Sequence, residues 1–234
     1  MNTESQIIVS APDLPAFDEL IEEAELLLEA SKTWKVGETF GKVETFSSAG
    51  SRDSGRSNSP KWYCRVSEHQ RDDITFGTLW RYLGGNKVPN EQRFIPEIKK
   101  VMRVQYISES QSIWSKCYTG PPPFSPRIFT FLQVVQLRNY PAHGRTGIMI
   151  SIPVDLSSEK DLLELEEKGI RARQVRVERL QELNDGKLIE WRLVTKEDFG
   201  GCIPRIWMQR LTLQNMAKDV SSFISWVQQQ RHIG

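Results

Sequence analysis

The chain has 234 residues, 31 Lys and Arg against 30 Asp and Glu, a formal net charge of +1 and a hydrophobic content of 38%. A chain of this length builds one sizeable core in one or two domains. Its even charge excludes a general nucleic-acid binder and an acidic disordered tail. No apolar run approaches the roughly 20 residues of a membrane-spanning helix; the longest, Phe129–Leu137, is broken by Gln133 and Gln136. The first ten residues lack the basic-then-apolar pattern of a secretory signal. The three cysteines, Cys64, Cys117 and Cys202, are far apart, which predicts reduced thiols in a cytoplasmic protein and excludes a disulfide scaffold or a CxxC zinc site.

The first predicted element is a helix over about 13–31. Asp13 stands near its N-cap, Pro15 suits the first turn, and Asp18 and Glu19 favour the positive end of the dipole. Leu20, Ala24, Leu27 and Leu28 form one apolar face. A weak strand signal follows from Trp34 to Phe46. Ser47–Pro60 is rich in Gly and Ser and reads as a mobile surface loop within one domain spanning 1–234. Lys61–His69 reads as a strand. Thr75–Leu83 reads as a short helix stopped by Gly84 and Gly85.

From Ile98 the pattern turns to strands: Val101–Ser108, Ile113–Thr119, Arg127–Leu137 and Arg145–Val154, separated by turn-prone stretches. Asp161–Lys168 is a polar helical turn. Arg171–Leu183 and Lys187–Thr195 flank Asn184-Asp185-Gly186, the strongest hairpin signal of the chain. A long amphipathic helix, about 203–228 and about 39 Å long, closes the sequence. Glu22–Glu29 and Glu164–Glu167 read as solvated helix faces.

This order predicts an α+β fold. Hairpin-linked strands make an antiparallel sheet, and the long helix must bury its apolar face across it. A curved sheet and one helix do not close along their full length, so a grip with an internal cavity results.

The stretches PPPFSPRIFTFLQ (Pro121–Gln133), GIMISIPVD (Gly147–Asp155), KGIRARQVRVERLQEL (Lys168–Leu183), IEWRL (Ile189–Leu193) and GGCIPR (Gly200–Arg205) resemble a fungal START-like domain family of unknown function. That family belongs to the helix-grip superfamily of START lipid-transfer domains, plant hormone receptors and polyketide cyclases. The resemblance covers Lys61–Arg231 and implies a fold more than a function. The charged Thr195–Phe199 segment and the long Ser47–Pro60 loop depart from the family pattern.

Candidate ligand-binding residues follow from strand faces and side-chain chemistry. Arg127, at a strand start, suits either an anionic head group or a structural ion pair. Tyr106, Trp114 and Tyr118 offer rings to a cavity wall or to ordinary core. Met149 shares a strand face with Ser151, and Ile148, Ile150 and Ile152 share the other. The 171–195 hairpin leaves two registers open. One turns Arg173 inward with Val175 and Val177. A two-residue turn at Asp185-Gly186 groups Glu178, Leu180 and Trp191 instead, with Arg176 and Glu178 as the inward polar pair. Trp207, Leu211 and Met216 are the cavity wall expected from the last helix.

Candidate catalytic groups are Glu178, Tyr118 and His143; His69 and His232 are scattered. No HExxH, GxSxG, P-loop or GxGxxG motif and no metal-ligand cluster is present, so neither cofactor nor metal is expected. Three readings stand. One is a carrier or binder of a hydrophobic small molecule (a sterol, phospholipid or polyketide-like metabolite) with at most transient membrane contact and no nucleic-acid partner. Another is a cyclase or isomerase of secondary metabolism that uses the same cavity. The third is a ligand-gated protein partner like the plant hormone receptors, with the Ser47–Pro60 loop as its gate.

Overall fold

The computed structural model describes residues 9–10, 14–48, 61–120, 124–140, 144–201 and 205–231, with the backbone alone for 9–10, 205–211 and 231. The elements in chain order are β1 (Val9–Ser10), α1 (Phe17–Ala30), β2 (Lys35–Phe40), β3 (Val43–Ser47), β4 (Tyr63–Gln70), α2 (Phe76–Leu83), α3 (Lys87–Phe94) and β5 (Ile98–Ser108). They continue with β6 (Gln111–Tyr118), β7 (Arg127–Tyr140), β8 (Gly144–Asp155), α4 (Lys160–Leu163), β9 (Ile170–Leu183), β10 (Leu188–Asp198) and α5 (Arg205–Arg231).

Nine strands form one curved sheet in the order β2-β3-β4-β10-β9-β8-β7-β6-β5. Neighbours along that path run antiparallel. Near Pro153, β8 leaves its neighbours and pairs with β1 through Val154 and Asp155. Arg127–Phe129 of β7 then meets Ile170–Ala172 of β9 in parallel. Proline has no N–H to donate to a ladder, so a strand exit there costs little.

Side-chain alternation divides the core between the two faces of this sheet. Leu20, Ile21, Ala24 and Leu28 of α1 pack on the outer face against Cys64, Val66, Ile148, Ile150, Ile152, Val175, Val177 and Val194. The inner face carries α2, α3 and α5. There Leu79 and Leu83 of α2 and Val220, Phe223, Trp226 and Val227 of α5 pack against Met149, Leu180, Ile189 and Trp191. The C-terminal half of α5 is therefore core. This is the predicted α+β helix grip.

Several elements differ from the sequence expectation. Helix α1 starts at Phe17 behind an extended Ala16, so Pro15 precedes it; Asp13 lies outside the described residues. The single weak strand at Trp34–Phe46 is a hairpin turned at Gly41, whose φ of 60° suits glycine. Its first strand is almost wholly exposed, which explains the weak signal. Helix α3 has no counterpart in the sequence reading. Most of the expected loop at 47–60 and the start of the last helix at 203–204 lie outside the described residues. The β9–β10 hairpin turns through Asn184, Asp185 and Gly186, all at positive φ, and pairs Leu180 with Trp191 and Glu178 with Leu193. This is the register of the two-residue turn.

Candidate functional site

A cavity of about 430 Å³ lies between the N-terminal half of α5 and the sheet. Its apolar wall is Phe94, Ile95, Tyr118, Phe124, Phe129, Leu193, Phe199 and Met216. Its polar groups are Arg127, Gln174, Arg176, Glu197, Thr212, Asn215 and Asp219. The cavity exists because α5 changes character along its length. Facing the sheet, Val220, Phe223 and Val227 fill space, whereas Thr212 and Asp219 roof it with short polar side chains. Toward the surface Phe124 is half exposed, and Lys218 of α5 pairs with Glu97 at 3.1 Å in the open. An exposed pair of this kind contributes under ~1 kcal/mol, so it is a weak latch.

Beneath the cavity lies a buried charge cluster. Lys87 Nζ of α3 stands 2.6 Å from Glu178 Oε1 and 2.9 Å from Glu91 Oε1. Lys116 of β6 pairs with Glu91 Oε2. Arg176 Nε lies 2.7 Å from Glu178 Oε1, close enough for Coulomb attraction although the N–H is not aimed at the oxygen. Arg176 also reaches Asp219 of α5 at 3.7 Å. Trp191 Nε1 donates to Glu178 Oε2 at 2.9 Å. Arg65 is fully buried, its guanidinium 4.1 Å from the centre of the Trp191 ring and its nitrogens without hydrogen-bond partners among the described residues. The cluster ties α3, β4, β6, β9, β10 and α5 together.

Burial and charge pull these groups apart in acidity. Burial alone would raise Glu178, but Lys87, Arg176 and Arg65 outweigh it and hold its carboxyl down at about 2. Glu91 is lowered in the same way by Lys116, Lys87 and Arg176. On the cavity side burial wins: Asp219 is pushed up to about 6 against the pull of Arg176 and Arg65. Burial also raises Glu197 and, helped by Glu91, the Tyr118 phenol.

Of the residues singled out from sequence, Tyr118, Arg127 and Met216 border the cavity together. Trp114 packs with Val88, Phe129 and Phe131, its indole N–H on Ser112 at 2.7 Å, and does not border it. Met149 and Trp191 are core beneath the C-terminal half of α5. Glu178 is fully buried with both oxygens engaged, below the cavity rather than in its wall. Two residues stand elsewhere. Tyr106 is 58% exposed on the edge strand β5. Arg173 is exposed and lies on the α1 side of the sheet, in a separate polar crevice with Asp155, Glu166 and Asp198; the register that pairs Leu180 with Trp191 excludes it from the inner face. The side chains of Trp207 and Leu211, and all of His143, lie outside the described residues. Sequence reasoning missed Arg65, Lys87, Glu91, Lys116, Glu197 and Asp219. Among the described residues, no group of three or more His, Cys, Asp or Glu is placed to hold a metal ion.

This architecture is that of the START domains. It superposes on human STARD10 with a TM-score of 0.71 at 15% identity, covering 100% of this chain and 87% of the other. For human StAR-related lipid transfer protein 5 the TM-score is 0.70 at 13% identity, with 92% and 97% covered. For the human StarD13 (DLC2) lipid transfer and protein localization domain it is 0.63 at 14% identity, with 91% and 96% covered. The chain belongs to the family described as protein of unknown function DUF3074, whose model matches residues 62–227. No curated protein sequence matches the chain.

Two substitutions test the charge cluster. Glu178→Gln strands Lys87 and Arg176 and should cost about 3–5 kcal/mol in urea unfolding at neutral pH. Because the folded pKa of Glu178 lies below the ordinary 4.5, that difference should shrink as pH falls from 4.5 toward 2. An unchanged urea midpoint would contradict the assignment. Asp219 has the opposite sign. Its folded pKa of about 6 exceeds the ordinary 3.8, so its ionisation costs stability as pH rises through 6. Asp219→Asn should raise Tm at about pH 7.5, with a smaller gain at about pH 5. An equal fall at both values would show that Arg176 needs the charge.

Proposed function

We propose that this protein binds, and passes between sites, a hydrophobic small molecule held in the cavity under α5. The observation that carries the reading is a largely apolar cavity of about 430 Å³ with a few convergent polar groups, within the range of ordinary ligand pockets. Three structurally similar proteins support it, two of which are named for lipid transfer. A guest gains about 2.5 kcal/mol for every 100 Å² of apolar surface that it buries there. Tyr118, Phe129, Leu193 and Met216 supply the apolar contact; Arg127, Asn215 and Thr212 orient the polar end. The exposed Lys218–Glu97 pair and the half-exposed Phe124 border the cavity on its surface side. A sterol, a phospholipid and a polyketide-like metabolite all have this chemistry.

A second reading, a cyclase or isomerase, draws on one observation. Asp219 faces the cavity with its pKa near 6, in the range where a carboxyl both gives and takes a proton. An enzyme would yield different extracted molecules from wild type and Asp219→Asn, whereas a carrier yields the same one from both.

The decisive test is native mass spectrometry of the purified chain. A bound small molecule should survive desolvation, and Met216→Trp, which adds bulk from a buried position of the cavity wall, should lose it while remaining folded. A protein free of ligand, with no thermal shift from sterols, phospholipids or aromatic amphiphiles, would overturn the proposal.

A further inference from the structure

Among the described residues, the cations along the cavity wall are paired with carboxylates except Arg127. Arg176 has Glu178 and Asp219, and Lys218 has Glu97. Glu197 accepts from Gln174 and from Thr212. Arg127 borders the cavity, is 8% exposed, and has no carboxylate partner among the described residues. The undescribed stretches 121–123, just before it in sequence, and 202–204, just after Gly201, contain no acidic residue. A buried guanidinium cannot shed its proton, so its charge requires an acceptor.

Two of its nitrogens are already spent, and they fix where the third points. Nε donates to the Phe199 carbonyl at 3.3 Å, and Nη1 donates to the Ser125 carbonyl. Nη2 makes no hydrogen bond among the described residues and is not sealed off as the Arg65 nitrogens are. It stands beside Gly201, where an added Cβ would come within 3.6 Å of it. Gly201 has a φ of +68°, so the backbone itself keeps a side chain away from that nitrogen. The wall therefore holds a cation with its rotamer set by two carbonyls and both Nη2 N–H groups unused, which is the preorganisation that charge-assisted recognition needs.

We propose that the guest carries an acidic head group, a carboxylate or a phosphate, whose oxygens accept from Arg127 Nη2 where β7 and β9 begin. This rests on the cavity-binding reading above. The other cavity carboxylates are engaged within the wall: Asp219 lies 3.7 Å from Arg176, and Glu197 accepts from Gln174 and Thr212. The apolar tail of the guest then runs along Phe129, Leu193 and Met216 under α5.

Three probes of equal chain length separate the possibilities: dodecanoate, dodecyl phosphate and dodecanol, each below its aggregation limit at about pH 7.5. Wild type should bind at least one of the two anions about tenfold or more tighter than the alcohol. The preferred anion tells carboxylate from phosphate recognition. Arg127→Gln should bring that anion down to the level of the alcohol and leave alcohol binding within about threefold of wild type. Arg127→Lys should keep part of the preference. Equal binding of all three probes by wild type, or a preference that survives in Arg127→Gln, overturns the acidic head group and leaves the cavity reading standing. If Arg127→Gln does not fold, the wild-type ratio and Arg127→Lys still decide. Binding of none of the three overturns the cavity reading and this inference with it.

Discussion

Charge buried without a partner is the most expensive thing a fold can contain, and the cluster beneath the cavity holds four cations. Arg65, Lys87, Lys116 and Arg176 are all within 8% of full burial. The structure accommodates them by drawing Glu91 and Glu178 into the centre. Arg65, which lacks a carboxylate at contact distance, lies on the face of Trp191 instead, where the ring quadrupole attracts a desolvated cation. Two members of the cluster, Arg176 and Asp219, border the cavity, and their pairing at 3.7 Å ties α5 to the sheet beside it.

Much of the fold was legible in the sequence because it is written in alternation and turn chemistry. Asn184-Asp185-Gly186 announced a tight hairpin, and its backbone does take up positive φ there. The register that follows from that turn places Leu180 beside Trp191 and sends Arg173 to the other face. The runs from Val101 to Val154 were read as strands because their apolar residues alternate or continue without a helical period. Helix α3 escaped for the opposite reason. Its sequence, KVPNEQRF, has no apolar face, because the side that it turns inward carries Lys87 and Glu91 along with Val88. A helix that buries ions looks in sequence like a solvated one.

The same physics explains which site residues could be found. Arg127 and Tyr118 sit at a strand start and a strand end beside turn-prone stretches, where a cavity mouth is expected, and both border the cavity. Met216 follows from the period of the last helix. Lys116 and Asp219 carry no such mark; each is an ordinary charged residue until a partner more than 20 positions away is brought to it. Tyr106 and Trp114 share the aromatic character of cavity linings, but β5 is an edge strand and β6 packs beneath α3, so one ring meets solvent and the other meets core. Strand patterns give the face of a residue; they do not give what covers that face.

On the proposed reading, charged framing keeps the space between α5 and the start of β7 open for a guest. An electron-density map of the protein as purified, crystallised without added amphiphile, decides this. An elongated feature should run along Phe129, Leu193 and Met216, with one end against Arg127. Side chains of Phe124, Phe199 and Met216 closing over the ion cluster, with no room between them, would contradict it.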